Sequence, residues 1–457
     1  MPRAHGPAIE AQLRLHGPRT ALQLAEALGV SQPTISRAIA SLGDDVVRLG
    51  RARSARYVLA RPLARAGDRW PLHRIDADGR PHTLGELRAL HGDRFQFTST
   101  APRPVLLQGE FRDGLFPGLP WFLDDQRPQG FLGRQLAHRV AADIGAVDDP
   151  LRWTPDDIVL CLLRYGDDAP GDLVLGDTAL QSALQHALAP QTIDATQRQT
   201  HYPILADAAL RGEIVGSSAA GEQPKFAIIL RDGDSHRPVI VKFSERSGTP
   251  AGRRWADLLR CEHLAAAALR AHGQPAAESQ VFEADGRVFL ESTRFDRTPA
   301  LGRRGFVSLA ALDAAFYGHG RIDWWRFAPL LQRDGWLDAA DAQRLAVLGW
   351  FGTLIANADM HLGNSGLHLA DAAPLALVPA YDMLPMAFRP ASNGELVARD
   401  YAVVLPTPEQ REPWQTAAVI ALAFWSAVAD DPRISVGFHA IARGAHETLR
   451  RALDRLR

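Results

Sequence analysis

The order of secondary-structure signals between Phe226 and Ser292 constrains this chain more than any other feature. Phe226 to Arg231 and Pro238 to Phe243 are strand-like runs joined by the turn Asp232-Gly233-Asp234. Arg253 to His272 has the spacing of an amphipathic helix stopped by Gly273, and Gln280 to Glu283 and Arg287 to Ser292 flank the turn Ala284-Asp285-Gly286. The expected order is strand, strand, helix, strand, strand. Lys242 closes the second strand after the apolar run Val239-Ile240-Val241, and Glu262 lies on the helix. The lysine is itself informative, because of 51 basic residues only Lys225 and Lys242 are lysine, and the chain has only three asparagines, Asn357, Asn364 and Asn393. Where arginine has displaced lysine almost everywhere, the survivors mark places that need a compact ammonium or a small amide. The competing reading, an ordinary solvated Lys and Glu, does not account for the clustering of both rare residue types.

A second group of signals lies further on. A helix is expected over Leu345 to Asn357, followed by Ala358-Asp359-Met360-His361-Leu362-Gly363-Asn364, strand-like Gly366 to Leu369 and Leu375 to Pro379, and then Tyr381-Asp382. The first group has the element order of a protein-kinase small lobe, and this second group resembles a kinase catalytic loop. Asp359 and Asn364 have the spacing at which an aspartate accepts the substrate hydroxyl proton and an asparagine holds magnesium, with Asp382 as the second metal carboxylate. Magnesium keeps several waters, so one Asn and one Asp suffice beside phosphate oxygens. Lys242 and Glu262 stand where the ion pair that holds a nucleotide phosphate needs them.

Residues 1 to 60 carry eight Arg against four acids, and Ala21 to Leu42 reads as two short helices broken at Gly29-Val30-Ser31. Leu22, Leu24, Ala25 and Leu28 are expected on the buried face of the first, and Ile35, Ala38, Ile39 and Leu42 on that of the second, capped by Ser31. Gln32, Thr34, Ser36 and Arg37 then face outward, and Val46 to Ala60, with Arg48, Arg51, Arg53 and Arg56, resembles the basic wing of a DNA-binding helix-turn-helix. A helical hairpin used only for packing has no use for that many arginines. Residues 61 to about 200 offer no catalytic signal; a hairpin around Asp76-Ala77-Asp78-Gly79 and helices at Leu132 to Ile144 and Pro155 to Tyr165 are expected.

The balance of 51 basic and 52 acidic residues argues against a protein coated in nucleic acid and leaves room for a local basic patch. Cys161 and Cys261 cannot make a disulfide framework, and no basic-then-apolar leader opens the chain, so a cytoplasmic protein is expected. The apolar run Thr416 to Ala429 is 14 residues, short of the roughly 20 a bilayer requires, and reads as a buried helix, with no membrane partner.

Together these residues resemble the HipA family of serine/threonine kinase toxins, in particular its YjjJ-like subgroup with a fused N-terminal helix-turn-helix. The likeness covers about residues 63 to 457 and is best over 212 to 390. It implies an α+β fold: a winged helix-turn-helix over residues 1–62, a HipA-like N-terminal region and kinase small lobe over 63–298, and a mainly helical C-terminal lobe with the catalytic loop over 299–457. Ser217-Ser218-Ala219-Ala220-Gly221-Glu222-Gln223-Pro224-Lys225 resembles the family's phosphate loop, which implies autophosphorylation at Ser218 and ATP contacts from Ala220, Gly221, Glu222, Gln223 and Lys225. The resemblance also places Lys242 on the phosphates, Thr293-Arg294-Phe295 at the adenine hinge, and His361 and Tyr381 beside the nucleotide. In it Asp359 is the base, with Asn364 and Asp382 as magnesium ligands. The chain lacks the Gly-rich loop of ordinary kinases, and Ala358-Asp359 and Tyr381-Asp382-Met383 replace His-Arg-Asp and Asp-Phe-Gly. The implied cofactors are ATP and Mg2+. The implied partners are operator DNA and a protein target, for which an aminoacyl-tRNA synthetase or another translation component is the family precedent; a homodimer follows by analogy with other DNA-reading heads. Two alternatives stay open at this stage: a transcriptional regulator whose kinase-like body only senses a nucleotide or small ligand, and a small-molecule kinase.

Overall fold

The structure, a computed structural model, describes residues 5–50, 55–102, 105–213, 221–233 and 235–456. Three helices come first: α1 (Gly6–His16), α2 (Ala21–Leu28) and α3 (Gln32–Leu42). Thr20 and Gln23 form a reciprocal capping box at the start of α2, Gly29 ends it in the left-handed conformation (φ 64°), and the Ser31 hydroxyl accepts from the Thr34 N–H to begin α3. Ile9, Leu13, Leu24, Ala25, Ile35 and Ala38 close a small core between them. Leu22, expected in that core, is 54% exposed. Ala21, Leu24, Ala25 and Leu28 already fill an i, i+3, i+4, i+7 stripe, and Leu22 falls about 100° round the helix from Ala21. Strands β1 (Arg19–Thr20), β2 (Val46–Leu49) and β3 (Arg56–Leu59) form an antiparallel sheet in the order β1-β3-β2. Arg51 and Arg53 lie outside the described residues.

The next sheet contains β4 (Arg69–Ile75), β5 (Pro81–Leu90), β6 (Arg94–Ser99), β7 (Leu115–Phe116) and β8 (Leu173–Leu175), in the order β7-β6-β5-β4-β8. Its first two strands are the expected hairpin around Asp76. Helices α4 (Gly130–Ile144), α5 (Pro155–Tyr165) and α6 (Asp177–Leu188) accompany it, the first two close to the expected limits.

The element order that constrained the sequence is present. After β9 (Thr192–Asp194) and α7 (Arg198–Leu210) come β10 (Lys225–Asp232), β11 (Ser235–Phe243), α8 (Pro250–Ala271), β12 (Ser279–Ala284) and β13 (Arg287–Thr293). The sheet order is β12-β13-β11-β10-β9, antiparallel except where β9 adds a parallel edge to β10, a strand the sequence signals did not suggest. Phe226, Phe243, Phe289 and Tyr202 pack its inner face. The rest is mainly helical: β14 (Val307–Ser308), α9 (Leu309–Phe316), α10 (Trp324–Arg333), α11 (Ala339–Leu354), β15 (Gly366–His368), β16 (Ala376–Leu377), α12 (Arg411–Asp430) and α13 (Val436–Leu456). Helix α11 stops three residues before the expected end, because Ala356 turns into the left-handed region (φ 60°). The run Thr416 to Ala429 is buried within α12, and among the described residues no helix is long and apolar enough to cross a membrane. One hydrophobic core runs without a break from β4–β8 into α9–α13.

A closed ionic cluster fixes the β4–β8 layer to the end of β13. Arg294 donates to Asp168 at 2.9 Å and to Asp296 at 2.9 Å, Arg297 donates to the same two carboxylates at 2.9 and 2.8 Å, and the Gly171 N–H donates to Asp296 at 3.0 Å. Arg303 donates to the Asp167 carbonyl beside them.

Candidate active site

Antiparallel pairing decides where the rare lysines go. Lys225 opens β10, Lys242 nearly closes β11, and the two are directly opposite each other in the ladder, so both side chains leave the same face of the sheet. The Lys242 ammonium donates to both oxygens of Glu262, at 2.7 and 2.9 Å, and also to Asp382. Glu262 reaches it from the middle of α8, which packs on β11 and β13.

The electrostatics of the two lysines differ. Burial pushes the Lys225 ammonium down to about 8; Asp382 resists that shift and Lys242 adds to it. Burial acts on Lys242 in the same direction, but Asp382 and Glu262 together hold it above its ordinary value. Burial would raise the Asp382 carboxyl, and Lys242 and Lys225 instead keep it below the usual carboxylate range. Glu262 is raised, burial outweighing Lys242.

These groups line a cavity of about 380 Å³. Lys225, Lys242, Glu262, Asn364, His361 and Asp382 form its charged end, and Thr293, Arg294, Phe295 and Tyr381 belong to the same wall. Phe295 stacks on Tyr381 with ring centroids 5.4 Å apart. Arg294 contributes no ligand-facing guanidinium, because that group is taken up by Asp168 and Asp296. Gly221, Glu222 and Gln223 do not line this cavity, and the Glu222 carboxylate pairs with Arg134 on the exterior. Ser218 and Ala220 lie outside the described residues.

Asp359 is outside the wall as well. It is part-exposed and held beside the cavity through the backbone: the Asn364 amide donates to its carbonyl at 2.8 Å, and its N–H donates to the Asn357 side chain at 3.0 Å. Asn357 also donates to the Asp382 carbonyl at 3.1 Å, so one buried amide ties the loop of Asp359 to the loop of Asp382. Tyr381 completes the link by donating to the Gly363 carbonyl at 3.0 Å. Asp382 itself has φ 55°, a left-handed conformation that an L-residue holds only when its surroundings fix it. Asn357 had been singled out by scarcity without a role; its role is visible only in these contacts.

Further wall residues come from a region with no local signal, namely Asp124, Asp125, Gln129 and Pro170. The Ser308 N–H donates to Asp125 at 2.6 Å, yet burial pushes that carboxyl up to about 6.

A divalent cation fits the donor set. Among the described residues no group of three or more His, Cys, Asp and Glu could cage a metal by itself, while Asn364 has its amide nitrogen tied to Asp359 and keeps its amide oxygen, and Asp382 is held ionised. One carboxylate and one amide oxygen suit magnesium bound chiefly by phosphate and water.

Comparison with known proteins gives consistent matches. Residues 66–184 match the family description "YjjJ-like toxin, middle domain" and residues 217–449 match "HipA-like C-terminal domain". The chain is 38% identical over 447 residues to Toxin YjjJ of Escherichia coli (strain K12), covering 97% of this chain and 98% of that one. Among solved structures it is similar to HipA of Shewanella oneidensis MR-1, determined with HipB and operator DNA, at 14% identity and a TM-score of 0.47 over 84% of this chain and 97% of that one. It is also similar to the Helicobacter pylori proinflammatory kinase CtkA, at 13% identity and a TM-score of 0.34 over 50% of this chain and 92% of that one.

Proposed function

Since the chain belongs to the HipA-like toxin family, in its YjjJ-like branch, we propose that it is an ATP- and magnesium-dependent protein serine/threonine kinase with a DNA-reading head. The observation that carries this reading is the convergence of Lys225 and Lys242, opposite each other in one ladder, with Glu262, Asp382 and Asn364 on one cavity. Two ammonium groups beside ionised carboxylates can receive a triphosphate: Lys242 is held by Glu262 in reach of the phosphates, and Lys225 offers a second charge. Asp382 and Asn364 would hold magnesium, which when bound would supply neutralisation of the phosphate oxygens. Asp359 accepts the proton of a serine hydroxyl as that oxygen bonds to the γ-phosphorus, the bond to the β,γ-bridging oxygen breaks, and ADP leaves. Thr293 and Phe295 face the base.

The remaining assignments belong to the same proposal. Gln32, Ser36 and Arg37 are exposed on α3 and Thr34 is half-exposed, as a helix entering the major groove of operator DNA requires. Phosphate on Ser218 would bring roughly two negative charges to a segment that leads into Lys225, and we read it as an off-switch. The protein target is a component of translation, and the protein acts in the cytoplasm as a homodimer.

Incubation with γ-labelled ATP followed by phosphosite mapping tests the reading. Label on serine, including Ser218, is expected, and Asp359→Ala should bring transfer to background. Transfer that survives this substitution refutes Asp359 as the base, and nucleotide binding without transfer leaves a sensor-type regulator instead.

A further inference from the structure

The segment that leads into Lys225 is braced by a helix from a different layer of the protein. Gly130, the first residue of α4, has φ +65°, and a Cβ there would stand 2.5 Å from the Gly221 carbonyl oxygen and 2.6 Å from its nitrogen. The next residue, Phe131, donates its N–H to the Gly221 carbonyl at 3.0 Å, and its ring packs against the cluster that contains Phe226. One turn on, Arg134 pairs with both oxygens of Glu222, at 2.9 and 2.6 Å. Gly221 in turn lies against the catalytic charge: it has φ +100°, and a Cβ on it would be 2.7 Å from the Lys225 Nζ. Two successive contacts therefore connect α4 to an ammonium in the cavity wall, Gly130 and Phe131 against the Gly221 backbone and Gly221 against Lys225, with the Arg134–Glu222 pair alongside.

We propose that the first turn of α4, through Gly130, Phe131 and Arg134, positions the Gly221–Lys225 segment and so sets the affinity of the cavity for the phosphates of a nucleotide. This rests on the nucleotide-binding reading above. Strand β10 fixes the origin of the Lys225 side chain, and Gly221 borders it on one side; among the described residues α4 holds Gly221 with both a backbone hydrogen bond and a close contact. The three α4 residues are positioning residues, since none of them lines the cavity. The exposed Arg134–Glu222 pair is the weaker part of the brace and the glycine contact the stronger.

The test uses the full chain and two readouts, amide exchange across residues 221–226 and binding of ATP, ADP and adenosine. Gly130→Ala should raise exchange in that segment and weaken ATP and ADP about tenfold, a strain-sized effect, while adenosine stays within about twofold. Arg134→Glu and Glu222→Arg should each weaken ATP about threefold, and the double reversal should restore it. Unchanged exchange and unchanged nucleotide binding in a folded Gly130→Ala protein overturn the proposal, as does an equal loss of adenosine or a double reversal no better than the single ones. If the natural protein binds none of the three ligands but exchange still responds to Gly130→Ala, the kinase reading falls and takes the claim on affinity with it, while the positioning of the segment by α4 stands.

Discussion

Two ionic clusters flank the end of β13, and they are built from different cations. At the cavity, Lys225 and Lys242 face Glu262 and Asp382; at the layer junction, Arg294, Arg297 and Arg303 surround Asp168 and Asp296. Arg294 and Arg297 spread several donors in a plane, and their surroundings take these up: Arg297 alone donates to Asp168, Asp296 and the carbonyls of Ala169, Gly171 and Asp296. These two guanidinium groups hold two layers together and are committed to carboxylates and carbonyls of the chain itself. An ammonium is a point charge that can be shared, and Lys242 already divides itself between two carboxylates that border open space. In a chain where arginine is the default cation, lysine was retained on the side where charge must be available to something that arrives.

This contrast can be broken by experiment, beginning where the effect is largest. Lys242→Ala should lower phosphotransfer by about 10² to 10³-fold while the protein stays folded, because Glu262 and Asp382 can take water from the cavity. Loss of folding by circular dichroism would show that the lysine cluster is structural too. Asp296→Ala should do the reverse, costing about 3–5 kcal/mol in denaturant titrations because it leaves buried guanidinium groups without their carboxylate. A stable Asp296→Ala protein that has lost activity would erase the distinction.

The pH dependence sharpens the comparison. Lys225 is pushed down to about 8, so its charge is present below that pH and is lost as pH rises through it. The KM for ATP should therefore increase about tenfold between pH 7 and 9, and Lys225→Arg should flatten that rise even if its KM is poorer throughout. A profile unchanged by the substitution would assign the titration elsewhere. The smallest effect is expected at Arg303, where burial and Arg297 bring the guanidinium down to about 9 and one of its nitrogens has no hydrogen-bond partner. Replacing it with Met should alter stability by less than about 1 kcal/mol in the same titrations, since three cations share two carboxylates. A loss as large as that of Asp296→Ala would mean the third cation is needed.

The element order of the β10–β13 sheet was legible because hydrophobic alternation and turn residues are local signals; that Lys225 meets Lys242 was not, since it depends on the register of the ladder. Glu262 opposite Lys242 was legible from that element order. Asp124, Asp125, Gln129 and Arg134 were not: the first three are ordinary polar residues in a stretch without periodicity, Arg134 is one of several polar residues on an expected helix, and the partners of Arg134 and Asp125 lie 88 and 183 positions away, at Glu222 and Ser308. The parallel strand β9 escaped notice because three residues are too few for a pattern. Leu22 was misplaced because a one-residue error in helical phase turns a side chain by about 100°.

By itself, then, the sequence determined which groups carry charge and the strand, strand, helix, strand, strand order of the sheet that bears the lysines, because residue type and spacing act within a few residues. The tertiary structure decided which of those charges meet around the cavity and which pair across the junction, with Arg294 and Asp296 bordering both. It also moved Asp359 off the cavity wall and brought α4 onto Gly221. Contacts of that kind depend on how layers pack over one another, and packing is settled by the whole core at once.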